Sequence, residues 1–445
     1  MPSETLLDRC REAVEIAQRH EADDVEVYGQ TVESVNSVVE KHDLQIAKSQ
    51  FETSFGVRAF VDGRLGFAST NDAARLGETC RDAVALARIS PQDPHNVLPE
   101  TQEIVPVEDL FDPKAAEFAA SDAVRRAAEM LSLAESIDRR VILNDAWFES
   151  SVGETALANS AGLAIAEKGS LFTYGAVATA REGETVSSFD FQFGGARTVD
   201  AIDAEAPIRR VCESALASLG AKPGESFKGT VLLSPQAVAD LVVGLLLFQL
   251  SARNALRGRS RWKSALGESV ADSRLTLVDD GRRPGGLATS AFDREGTPRR
   301  RQRLIAGGRL DALMHNAYTA RAMGETSTAS ASGSARSIPG IGPSNLEILP
   351  GEGSLDELVA DVPKGLLIRR FSGNANPISG DFSGATKSAQ LIREGRLDRA
   401  VSGTMIAGNV FEALRQISGV SANREQVYNY TLPYLRLEGV SVTSE

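Results

Sequence analysis

The sequence predicts an α+β protein. An N-terminal αβ region of two helix–strand–helix subdomains precedes a C-terminal, mostly antiparallel β-rich domain that carries one long buried helix. Three observations carry this reading. The order helix, strands, helix occurs twice before residue 226, and a proline-rich stretch separates the two occurrences. From residue 227 onward, glycine-rich segments with short strands replace long helices, apart from one apolar helical run. The expected organisation is a first αβ subdomain at 1–90, an extended linker at 91–113, a second αβ subdomain at 114–226 and the β-rich domain at 227–445.

In the first subdomain, Leu6, Leu7, Cys10, Ala13, Val14 and Ala17 recur at helical spacing and form one apolar face. "DVEVYGQ" alternates with period two, as a half-buried strand does. "FGVRAFVDGRLGFAST" places two alternating runs around Asp62-Gly63, a pair that accepts the positive φ angles of a tight hairpin turn. Asn71 is the expected N-cap of the next helix. Five prolines between 91 and 113 mark the extended connection. The second subdomain repeats the scheme. A helix in "AAEFAASDAVRRAAEMLSLAES" leads into strands turned by "NSAG", and a helix near 201–219 closes it. The duplication is one of order, since no residue-level repeat is visible.

The β-rich domain opens with the strand "GTVLLS". Ser234-Pro235 then starts a helix, with Ser as N-cap and Pro in the first turn. That helix is expected to run through "LVVGLLLFQLSARNALRG" and stop at Gly258. Its uncharged stretch, 241–252, is shorter than the roughly 20 apolar residues a membrane span needs, so it reads as a core helix.

Composition narrows the function. The net charge of −12 opposes non-specific binding to nucleic acid or to an anionic membrane. The N-terminus lacks the basic and apolar regions of a signal peptide, so a cytoplasmic protein is expected. Cys10, Cys80 and Cys212 form no CxxC pair and read as small core hydrophobes. The histidines His20, His42, His95 and His315 give no local pair and no HExxH. His20 is expected to end the first helix, and His315 is assigned no catalytic role. A G-x-S-x-G elbow is absent, and "GDFSGATKS" lacks the Gly-Lys-Ser/Thr of a phosphate loop. Arg299, Arg300, Arg301 and Arg303 suit a solvated strand, and "TSTASASGSARS" suits a mobile loop or a cleft cover.

Four stretches carry a resemblance: "FDREGTP" (292–298), "LIAGGRLDALMHNAYTARAMGETSTAS" (304–330), "NPISGDFSGATKSAQLIREGRL" (376–397) and "SGTMIAGNVFEALRQI" (402–417). With the N-terminal organisation, they make nearly the whole chain resemble the TldD/TldE (PmbA) family, zinc peptidase pairs also labelled modulators of DNA gyrase. The resemblance implies that a TldD-type chain carries HExxxH on the buried helix and a distal cysteine. Anchored on Arg257-Gly258 and Gly267-Glu268, the positions of its His, Glu and His fall here on Val243, Gly244 and Phe248. None of these can hold zinc or move a proton, and the chain's end has no cysteine.

The resemblance therefore implies a TldE/PmbA-type subunit with no catalytic residue and no bound cofactor of its own, zinc being expected in a TldD-type partner. The pair would cleave unfolded or short peptides, while the chain alone is compatible with a homodimer. Asn374, Asn376, Ser379 and Asp381 are the candidates for peptide contact, and the same residue types also suit turns. Two alternatives stand beside this: a hydrolase using the hydroxyls and amides of "SGNANPISGD", and a DNA gyrase-associated binding protein.

Overall fold

The computed structural model describes residues 5–40 and 43–444; His42 lies outside them. The first unit consists of α1 (Leu6–Arg19), β1 (Asp24–Glu40), β2 (Asp43–Val61), β3 (Arg64–Thr70) and α2 (Leu76–Ile89). Thr5 caps α1 by accepting from Asp8 N at 3.1 Å, and His20 ends it as expected. Asp62 and Gly63 adopt φ of 50° and 71°, so the tight turn forms where the sequence places it. The cap of the following helix differs by one residue: Asp72, not Asn71, accepts from Ala74 N at 2.9 Å and opens a short 3₁₀ turn before α2.

The second unit repeats this order with α3 (Ala120–Ile137), β4 (Val141–Asn159), β5 (Ala164–Glu182), β6 (Thr185–Val186), β7 (Asp190–Ala196) and α4 (Glu205–Ala217). The two units are not separate layers. Their first strands pair antiparallel from Glu26↔Asn159 to Glu40↔Asp145 and fuse them into one seven-stranded sheet. The resulting order, β3-β2-β1-β4-β5 with β6 and β7 on β5, mirrors one unit onto the other.

Side-chain alternation gives that sheet two different faces. Val25, Val27, Phe55, Ala158, Phe148, Phe172 and Tyr174 point to one face and bury against the four helices. Cys10, Cys80 and Cys212 sit in the same layer as free, buried thiols. The opposite face packs against the C-terminal domain through Tyr28, Leu157, Leu163, Phe292 and Ala335.

The C-terminal domain is one large sheet of mostly antiparallel pairings. Its centre is Phe227–Leu233, parallel to Lys364–Ile368 on one side and antiparallel to Tyr430–Ser444 on the other. The segment 326–337 docks against the N-terminal sheet. Ala331–Ser332 pairs with Gly340–Ile341, and Ala335 N donates to Gln30 Oε1 at 2.9 Å. Its small residues allow close approach, since a Cβ on Gly56 of β2 would lie 2.1 Å from Ala335 O.

Candidate functional site

The helix after Phe227–Leu233 starts as the sequence indicates, with Ser234 Oγ accepting from Ala237 N at 3.2 Å and Pro235 in the first turn. It does not remain a regular α-helix. Pro235–Val238 is α-helical, Ala239–Val243 winds as a π-turn, and Gly244–Leu250 is α-helical again. Wide turns of this kind recur at functional sites. The helix also stops earlier than expected, at Ser251, whose ψ of 114° leaves the helical region. The cause is tertiary: Met314 N donates to Leu250 O at 2.8 Å, and Ala252 N donates to Met314 O at 3.0 Å. Ala252–Leu256 then forms a separate short turn, and Gly258 closes it at φ 66°.

Leu241, Val242, Val243, Leu245, Leu246 and Leu250 are all buried in the core of the domain. What remains is one face with exposed Asp240 and Gly244 and half-buried Leu247 and Phe248. Of the three positions implied by the resemblance, Gly244 and Phe248 lie on this open face and Val243 points into hydrocarbon. A Cβ built on Gly244 would meet no atom within 4 Å. These side chains offer no lone pair and do not fit a zinc ion. Among the described residues, no three His, Cys, Asp or Glu side chains converge as a metal site.

Asp240 was not singled out from the sequence, although it is the one charged residue between Ser234 and Ala252. It sits one turn before Gly244. Its two carboxylate oxygens accept from Gln236 Nε2 at 2.8 Å and from Phe371 N at 3.0 Å. Although the residue as a whole is exposed, its carboxyl group is tucked between Gln236 and the Phe371 backbone, and desolvation there is the largest influence and raises its pKa.

The hairpin with Asn374, Asn376, Ser379 and Asp381 is held against the end of this helix. Gln249 donates to Pro377 O, and Arg261 Nε donates to Ile378 O at 2.9 Å. Most of the hairpin's polar groups are engaged within the turn. Asn376 Oδ1 accepts from Ile378 N and Ser379 N, and Asp381 N donates to Ser379 Oγ. The Asp381 carboxylate accepts from Asn409 Nδ2 at 2.8 Å, which with Ser379 holds it below the usual carboxylate range. Asn374 is an exposed ladder residue opposite Ser383.

An apolar cleft on the face of the N-terminal sheet, running over β4, β5 and the edge strand β7, was not visible in the sequence. Strand β7 pairs with β5 on one side only. Beside it a cavity of about 520 Å³ is lined by Trp147, Phe191, Phe193, Leu287 and Tyr428. Tyr428 sits at the Val427–Tyr430 turn with φ 56°, its ring centroid 4.0 Å from that of Phe193. The alternation in "DFQFGG" was the available signal, but its partners Trp147 and Tyr428 are remote in sequence.

The "FDREGTP" stretch forms a buried ionic junction between the two halves of the molecule. Arg58 Nε donates to Glu26 Oε1 at 3.0 Å, and Arg58 Nη1 to Glu295 Oε1 at 2.9 Å. Arg294 donates to Glu26 at 2.8 Å and stacks 3.8 Å over the Tyr28 ring. Asp293 accepts from the backbone N–H groups of Glu295, Thr297 and Ala331. Burial first, then the neighbouring Glu295 charge, pushes its pKa up to about 6. The arginines that follow make ordinary contacts: Arg299 and Arg300 donate to Ala329 O and Ser327 O, and Arg303 pairs with Asp311. His315 is buried with Nδ1 unpaired, and burial lowers its pKa.

Comparison with known proteins adds three matches to PmbA/TldA metallopeptidase family models. Domain 1 matches residues 25–87, the central domain 107–219 and the C-terminal domain 226–444. An uncharacterized protein of Methanocaldococcus jannaschii is 29% identical over 366 residues, covering 81% of this chain and 82% of that protein. The metalloprotease PmbA of Escherichia coli O157:H7 is 24% identical over 404 residues, covering 87% and 86%. Among solved structures, TldE from Thermococcus kodakarensis superposes with a TM-score of 0.90 at 23% identity, covering 98% of this chain and all of that one. A candidate modulator of a DNA gyrase from Thermotoga maritima gives 0.88 at 23% identity, covering 99% and 100%. At that identity, the two structures speak for the fold alone.

Proposed function

The chain belongs to the PmbA/TldD metallopeptidase family, and from that premise we propose that it is a TldE/PmbA-type subunit working in the cytoplasm. It binds no zinc itself and pairs with a TldD-type chain that supplies the metal and its general base. The observation that carries this is the open face of the central helix, where Gly244 and Phe248 stand at motif positions and Val243 turns into the core. The likeness to PmbA over 86% of that protein supports the same reading.

In such a pair this chain contributes surface rather than a reacting group. An unfolded or short peptide lies extended along the free edge of β7, where backbone N–H and C=O groups add a strand. The cleft of Trp147, Phe191, Phe193 and Tyr428 takes an apolar side chain of that peptide. The hairpin of Asn374, Asn376, Ser379 and Asp381 borders the helix as a second contact.

Co-expression with a TldD-type chain bearing HExxxH tests this. The two chains are expected to elute as one complex that hydrolyses an unstructured fluorogenic peptide and stops on addition of a chelator. Separate elution, or hydrolysis that is indifferent to this chain, overturns the proposal.

A further inference from the structure

On the other side of β7, where α4 meets the C-terminal sheet, lies a partly open polar cavity of about 190 Å³, with exposed Glu213 and Gln426 at its lining. Its wall contains an unusual set of unpaired groups. Asp190 is 1% exposed; its Oδ1 accepts from Arg370 at 3.2 Å, while Oδ2 has no partner. Ser214 is 5% exposed and its hydroxyl has no partner. Arg210 and Arg369 are half-buried, and the Nε of each is buried and unpaired. Neither makes an ion pair with a described residue; Arg369 reaches the amide oxygen of Gln390 at 3.4 Å. Buried polar groups in folded proteins are overwhelmingly paired, so several orphans around one cavity point to an occupant. The space exceeds what one water needs.

The donors and acceptors specify the occupant's chemistry. Two guanidiniums without a carboxylate partner suit a carboxylate, which their planar forks bind well. Asp190 Oδ2 and the Glu425 carboxylate, whose Oε1 accepts from Tyr434, supply acceptors for a cation. We propose that this cavity binds a small free α-amino acid, its carboxylate held by Arg210 and Arg369 and its ammonium by Asp190 and Glu425. The Ser214 hydroxyl donates a further hydrogen bond to the carboxylate. Arg210, Ser214 and Asp190 come from the second αβ unit, and Arg369 and Glu425 from the C-terminal domain, so the ligand bridges the two. This goes beyond the peptidase reading and stands or falls without it, because binding is measured on this chain alone.

Isothermal titration calorimetry of the full chain with glycine, alanine, serine and glutamate tests it, with acetate, methylammonium and inorganic phosphate as comparison probes. Saturable binding of at least one amino acid is expected, with neither acetate nor methylammonium binding at the same concentration. Arg210→Gln and Arg369→Gln should each weaken binding about ten- to hundredfold, the worth of a charged hydrogen bond, in chains whose circular dichroism is unchanged. Absence of binding by all four amino acids overturns the proposal, as does binding of phosphate alone or affinity that survives both substitutions. Should either variant fail to fold, the titrations of the unsubstituted chain still decide the question.

Discussion

Glu26 and Asp293 belong to one buried junction yet respond oppositely to pH. Burial alone would raise the Glu26 carboxyl, but Arg58 and Arg294 outweigh it and hold it below its ordinary value. Its contribution to stability is therefore present above the unfolded value of about 4.5 and is lost as pH falls through the lower folded value. Glu26→Gln leaves two buried guanidiniums short of a counter-charge and should destabilise the fold by about 3–5 kcal/mol in urea unfolding at pH 7. Asp293, raised from 3.8 to about 6, binds its proton more tightly in the folded state. Its contribution is complete below pH 3.8 and disappears as pH climbs to about 6. Asp293→Asn should lower stability below about pH 4, where it sets an amide NH2 in place of one of the two oxygens that meet three N–H groups. It should also abolish the loss of stability between pH 4 and 6 that Asp293 produces, which urea midpoints across that range measure. None of this was legible in "FDREGTP" itself, since Arg294 meets Glu26 from 268 residues away.

At the scale of single elements, the central helix shows what local pattern can and cannot fix. Ser234-Pro235 announced its start correctly because capping is a short-range matter. The π-turn and the stop at Ser251 were not visible, because Met314, from a different segment, competes for the backbone there. Gly244 is helical at φ −59° with open space at its Cβ, so Gly244→Ala should stabilise the protein by about 0.5–1 kcal/mol. Gly56→Ala, by contrast, would force a methyl group against Ala335 O and should cost about 1–3 kcal/mol. Thermal unfolding of the two variants separates a glycine kept for space from one that leaves it empty. The hairpin of Asn374, Asn376, Ser379 and Asp381 was legible as a polar loop; its attachment to Gln249 and Arg261 was not.

For the whole molecule, alternation and punctuation revealed two αβ units and a β-rich domain. They could not reveal that β1 and β4 join the units into one sheet, because the two strands lie more than a hundred residues apart. The long-range pairing also gives that sheet its second face, on which the C-terminal domain sits. With a net charge of −12, the molecule should not be retained by duplex DNA at about 50 mM salt, and salt-sensitive retention on a DNA column would revive a nucleic-acid role. No described helix is long and apolar enough to cross a membrane.

The proposal that this chain holds no zinc rests on Val243, Gly244 and Phe248 standing at the motif positions that the family resemblance implies. The direct measurement is the zinc content, by mass spectrometry of the purified chain, after expression in zinc-supplemented medium without a TldD-type partner. Only trace, substoichiometric zinc is expected, removed by dialysis without changing the thermal midpoint. One tightly held zinc per chain, with a midpoint that falls on chelation, would overturn the proposal.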